Sequence, residues 1–171
     1  KSEEQAIVQP LHFVFVLDQS GSMRGDRYDE LGNSCDAFKR KRLESGDAGD
    51  RVSVILFDHN MEHLATMVAW NEVPALTFNA GGTNFSSGLR GAEEALAQDS
   101  SGRYRPVIIF MTDGVNGHGD QASTNELMRT IDNKYKEKGL IARFIAFGGG
   151  ADQSSLQSMA QLCTDGKVRA N

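Results

Sequence analysis

The sequence predicts an α/β fold: a doubly wound, mostly parallel central sheet with one antiparallel edge strand and helices on both faces. Three observations carry this. Four short runs, residues 12–17 (HFVFVL), 52–57 (VSVILF), 107–111 (VIIFM) and 140–147 (LIARFIAF), are almost continuously apolar and rich in Val, Ile and Phe. That is how strands buried on both faces read. Segments with apolar residues at helical spacing separate them, and alternation of such strands and helices implies a parallel sheet covered on both sides. The exception is Met61–Val68, which follows Phe57 after the short turn Asp58-His59-Asn60 and so reads as an antiparallel edge hairpin.

Each helix has its own signature. Tyr28, Leu31, Cys35, Phe38 and Arg42 share one helical face, as do Phe85, Leu89, Ala92 and Leu96. Leu127, Ile131 and Tyr135 form a third stripe, opened by Ser123-Thr-Asn-Glu126, which has the spacing of a capping box. A last helix carries Leu156, Ala160 and Cys163, with Asp152 as its expected N-cap. Residues 1–10 (KSEEQAIVQP) read as a polar tail or linker, leaving one domain over 11–171.

The totals bound the function. A chain of 171 residues suits one domain with a real core. Its net charge of −5 argues against a nucleic-acid binder, which needs a basic face for phosphates. No run of 18 apolar residues exists to insert in a bilayer. The first residue is Lys1 and not Met, which suggests a piece of a longer protein. Two cysteines, Cys35 and Cys163, are too few for a disulfide scaffold and are expected to be free thiols on the apolar sides of their helices. Nothing marks an oligomer, and a monomeric domain is the default.

In open sheets of this class, ligands bind at the carboxyl ends of the strands, where the strand order reverses. Three stretches meet that condition. The first strand ends in Asp18-Gln-Ser20-Gly-Ser22, three oxygen side chains at alternate positions on a glycine-containing turn. The run 107–111 continues into Thr112-Asp113-Gly114. The loop Gly81-Gly82-Thr83-Asn84 opens a helix and brings another hydroxyl. Asp18, Ser20, Ser22, Thr83 and Asp113 are all hard oxygen donors, without His or Cys. Such a set selects Mg²⁺, with Mn²⁺ or Ca²⁺ as alternatives, over Zn²⁺.

These motifs resemble the von Willebrand factor type A family and its metal-ion-dependent adhesion site. Asp18, Ser20 and Ser22 match that family's Asp-x-Ser-x-Ser motif, Thr83 its loop threonine and Asp113 its later aspartate. The resemblance runs from about His12 to the C-terminus and implies a Rossmann-like fold. It further implies a divalent cation on the sheet's upper rim, to which a protein partner offers a Glu or Asp. In some relatives the site switches affinity with movement of the last helix. The expected function is therefore a metal-dependent protein–protein interaction module without catalysis.

Two alternatives stand beside it. One is a structural domain of a larger assembly, its loops held by the metal. The other, more remote, is a Mg²⁺-dependent phosphotransfer enzyme with a nucleophilic aspartate. That chemistry needs a second acid two residues on, and Ser20 stands there instead. The lysine-bearing phosphate loop is missing too.

Other features take structural readings. Arg24-Gly25-Asp26 suits the turn into the first helix, where Asp26 favours the helix dipole. His12, His59, His63 and His118 are scattered and make no expected second metal site, and His118 reads as a solvated loop residue. Trp70 is expected to pack under the edge hairpin. Asn84-Phe-Ser86 is a glycosylation sequon beside Thr83, where a glycan would crowd the site. That and the lack of a disulfide framework lean towards the cytoplasm, with an extracellular location left open.

Overall fold

The structure is a computed structural model that describes residues 8–46, 49–117, 121–149 and 151–170. Its centre is a six-stranded sheet built from β1 (Leu11–Asp18), β2 (Arg51–Phe57), β3 (Met61–Val68), β4 (Arg105–Thr112), β5 (Ile141–Ala146) and β6 (Gly166–Ala170), in the order β3-β2-β1-β4-β5-β6. All pairings are parallel except β2 with β3. From β1 the chain winds outward to β2 and β3 in one direction, then returns to β4 and winds to β6 in the other. The reversal falls between β1 and β4, which fixes where a site belongs.

The five expected strands are present. The sixth, Gly-Lys-Val-Arg-Ala, has no apolar run and is half-exposed at the sheet edge, so hydrophobicity does not announce it. Its pairing with β5 selects it as a strand. At the opposite edge the β2–β3 ladder carries register shifts around Val54, and Met67 takes a positive φ of 53°. The Met67 backbone N–H donates to Ser53 Oγ at 3.0 Å at this bulge.

Among the described residues four α-helices cover the sheet: α1 (Asp26–Glu44), α2 (Phe85–Ala97), α3 (Gln121–Tyr135) and α4 (Gln153–Gln161). On the first face α2, α3 and α4 bury Val14, Val16, Ile55, Phe57, Ile108, Phe110 and Phe144. The second face, with Phe13, Phe15, Leu17, Val54, Ile109 and Met111, meets α1, Trp70 and an extended segment that includes Val73, Leu76 and Phe78. Helices do flank both faces, three against one. Trp70 is buried, its ring 5.3 Å from that of Phe13.

Two helix ends differ from expectation. Helix α3 is already formed at Gln121, so Ser123 lies inside its first turn and is not the N-cap. The capping-box spacing misplaces the start because the pattern registers side-chain chemistry alone. Helix α4 stops at Gln161, so Cys163 lies beyond it, its thiol directed to the Met159 carbonyl oxygen at 3.3 Å. Asp152 is the N-cap of α4, accepting from the Ser155 backbone N–H at 3.2 Å. Both cysteines are free. Burial pushes each thiol up to about 12, so neither is a reactive thiolate. The first seven residues of the expected tail, and His118, lie outside the described residues.

Candidate functional site on the sheet rim

Asp18 is the last residue of β1 and Asp113 the first after β4, so the two carboxylates flank the point where the strand order reverses. Both are almost completely buried. A buried carboxylate needs donors or a positive charge. Asp18 Oδ1 accepts from the Ser20 backbone N–H at 2.8 Å, and Asp18 Oδ2 accepts from Thr112 Oγ1 at 2.5 Å. Thr112 Oγ1 in turn accepts from the Gly114 N–H at 3.0 Å, which ties the two strand ends together. Burial raises the Asp18 carboxyl above its ordinary range. The hydrogen bonds from Ser20 and Thr112 pull it down, and the Asp113 charge adds to the rise.

The turn after β1 places the serines. Ser20 Oγ and Ser22 Oγ are 3.1 Å apart, and Ser22 Oγ donates to Asp113 Oδ1 at 2.8 Å. The second oxygen of Asp113 pairs with the guanidinium of Arg27, one residue into α1. Gly25 permits this close placement, since its φ of 81° starts the helix directly after the serine turn.

Thr83 arrives from a loop pinned to the same edge. Gly81 bridges to Ser20 and accepts from the Gly21 N–H at 2.9 Å. A side chain at Gly81 would clash, its Cβ falling 2.5 Å from Asp58 Oδ2 and 2.7 Å from His59 Nδ1. Asn84 then caps α2, accepting from the Ser86 N–H at 3.1 Å. A methyl group built on Gly114 would lie 3.5 Å from Thr83 Oγ1 and 3.6 Å from Asp18 Oδ2. The threonine hydroxyl and the first carboxylate thus face the same small space, which Gly114 leaves open.

The fold therefore brings Asp18, Ser20, Ser22, Thr83 and Asp113 to one rim, with Ser22 exposed and Thr83 half-exposed. Among the described residues no three His, Cys, Asp or Glu side chains gather to hold a metal, and the rim itself brings two, Asp18 and Asp113, with three hydroxyls. His63 pairs with Glu94 at 2.7 Å and His59 sits 3.5 Å from Asp58, as separate contacts. Sequence reasoning missed two members. Thr112 was visible inside the Thr-Asp-Gly motif as a hydroxyl beside a strand-end carboxylate. Arg27 had no signal, because only the turn after β1 aims it at Asp113.

A doubly wound α/β domain with an oxygen-lined rim at its switch point is thus defined. Residues 13–116 match the family model of the von Willebrand factor type A domain, and the chain belongs to that family. It is 27% identical over 157 residues to the uncharacterized protein sll0103 of Synechocystis sp., covering 88% of this chain and 35% of that protein. It is 30% identical over 125 residues to the minor fimbrium subunit Mfa5 of Porphyromonas gingivalis, covering 67% of this chain and 10% of Mfa5. The chain thus spans about a third or less of these relatives. Among solved structures, the proximal thread matrix protein 1 of the mussel byssus, with a zinc-occupied MIDAS motif, matches with a TM-score of 0.71 at 18% identity. That match covers 96% of this chain and 42% of the mussel protein and bears on the fold alone.

Proposed function

We propose that residues 11–171 form a protein-interaction module whose rim binds one divalent cation and, through it, an acidic side chain of a partner. The observation that carries this is the convergence of two buried carboxylates and three hydroxyls at the switch point of the sheet. Asp18, Ser20, Ser22, Thr83 and Asp113 would hold the cation, directly or through water. The all-oxygen set suits Mg²⁺ first, with Mn²⁺ or Ca²⁺ as substitutes. When bound, the ion supplies a Lewis-acidic position for a carboxylate oxygen.

The chain's residues prepare that position. Thr112 and the Ser20 N–H fix the rotamer of Asp18. Ser22 orients Asp113, and the bare Gly114 keeps the space beside Thr83 clear. Val115, 57% exposed, puts an apolar contact on the rim next to Asp113 for a protein surface to cover. A fimbrial subunit among the similar proteins fits a role in assembly or adhesion. We read the domain as monomeric and as part of a larger protein.

Calorimetric titration with Mg²⁺ and Mn²⁺ tests the reading. One-to-one binding is expected, lost in Asp113→Ala and weakened in Thr83→Ala, at little cost in melting temperature. Folded protein that binds neither ion would overturn the metal site. Loss of fold in Asp113→Ala, with no selective loss of binding, would favour a structural role for the cluster.

A further inference from the structure

Arg27 is the one basic side chain within ion-pairing distance of either rim carboxylate among the described residues. Its Nη1 donates to Asp113 Oδ2, the oxygen that Ser22 leaves free. The same guanidinium lies against the loop after β5, where a Cβ on Gly148 would be 3.7 Å from Arg27 Cζ. Arg27 thus joins the start of α1, the end of β4 and the β5–α4 loop through one group. Backbone bonds tie that last loop to the rim: Phe147 N–H donates to the Thr112 carbonyl at 2.9 Å, and Asp152 N–H to the Gly114 carbonyl at 3.1 Å.

We infer that Arg27 is a tethered competitor for the cation site: its guanidinium holds the Asp113 oxygen that Ser22 leaves free, and a cation drawing on that carboxylate displaces it. This rests on the metal-site reading above. The electrostatics follow from the contacts. Asp18 and Asp113 are two buried carboxylates in one cluster and require neutralisation. A guanidinium supplies one positive charge and a divalent ion two, so the ion wins once its concentration suffices. The two cannot share Asp113 Oδ2 without repulsion between like charges at short range.

The arm is built to leave. The Arg27 side chain is 47% exposed, whereas the Asp113 side chain is fully buried. Released, the guanidinium swings into water on its flexible stem without being left buried and unpaired. The competition sets a threshold: cation concentration must rise before the rim offers its free position.

The test compares Mn²⁺ binding by calorimetry in wild type, Arg27→Gln and Arg27→Lys, with melting temperatures for each in chelator and in saturating Mn²⁺. Arg27→Gln is expected to bind Mn²⁺ roughly two- to fivefold more tightly, the size expected for a half-exposed ion pair. It should lower the melting temperature in chelator and leave that of the Mn²⁺-loaded protein unchanged. Arg27→Lys should stay near wild type. Equal or weaker Mn²⁺ binding by Arg27→Gln, with wild-type binding still abolished by Asp113→Ala, would overturn the competitor while leaving the site intact. Absence of Mn²⁺ binding in wild type and Arg27→Gln alike would overturn both.

Discussion

The two faces of the sheet are covered by different means. On the first face α2 lies close against the strands, because Gly88 and Gly91 present no side chain there. A Cβ at Gly91 would fall 2.5 Å from Ile55 Cγ2, and one at Gly88 2.8 Å from Phe57 Cδ1. On the second face large aromatics act as spacers. The Phe38 ring of α1 sits 6.1 Å from that of Phe13 and 6.0 Å from that of Phe15. A cleft of about 700 Å³ remains between α1, the segment Val73 to Leu76 and the sheet. The first face behaves as close-packed interior, where a single methyl is felt. The second tolerates volume.

The two faces also close differently at the sheet's other end. On the first, His12 Nε2 and Ser53 Oγ, 2.8 Å apart, form a buried neutral pair. On the second, buried Asp50 takes Arg42 at 2.9 Å through Nε and the Leu11 backbone N–H at 2.9 Å. One seal excludes charge and the other pairs it.

The largest effect that would sharpen this comparison is overpacking of the first face. Gly91→Val should cost about 3 kcal/mol or more in urea unfolding, since Ile55 is buried and β-branched. A loss under about 1 kcal/mol would show that α2 can back away, and the contrast between the faces would fail.

Next is the neutral seal. Burial lowers the His12 pKa from 6.5 to about 4. The unfolded chain therefore takes up a proton that the folded one refuses. The stabilisation is complete above about pH 6.5 and is lost as pH falls towards 4, by up to about 3 kcal/mol. Denaturant midpoints across that window should show the loss, and His12→Leu should flatten it. An unchanged slope in the variant would place the acid sensitivity elsewhere.

The smallest effect has the opposite sign. Gly32 lies on α1 facing the cleft, where a Cβ would meet Leu76 Cδ1 at an ordinary 3.8 Å. Gly32→Ala should stabilise by about 1 kcal/mol through helix propensity. Destabilisation in thermal melts would mean that α1 is as tightly seated as α2.

Much of this molecule could be read from its residues. The Val- and Phe-rich runs fix β1, β2, β4 and β5, because strands buried on both faces leave no room for polar side chains. The hairpin into Met61–Val68 follows from its turn, and the five rim oxygens follow from motifs at strand ends. Strand β6 could not be read this way. With Lys167 and Arg169 exposed it has little hydrophobic pattern, and only its ladder with β5 makes it a strand. Nor could the start of α3, which is helical from Gln121, two residues ahead of the capping-box serine.

Local pattern and strand-end chemistry determine what the sequence settles alone: the fold class, the buried strands and which oxygen side chains stand at the strand ends. Tertiary structure decides what depends on residues far apart in the chain. It seats Thr112 under Asp18 and sets α2 close to the sheet and α1 apart from it. It also aims Arg27 at Asp113, 86 positions away, because a charge pair is chosen by distance in space and leaves no periodic trace in sequence.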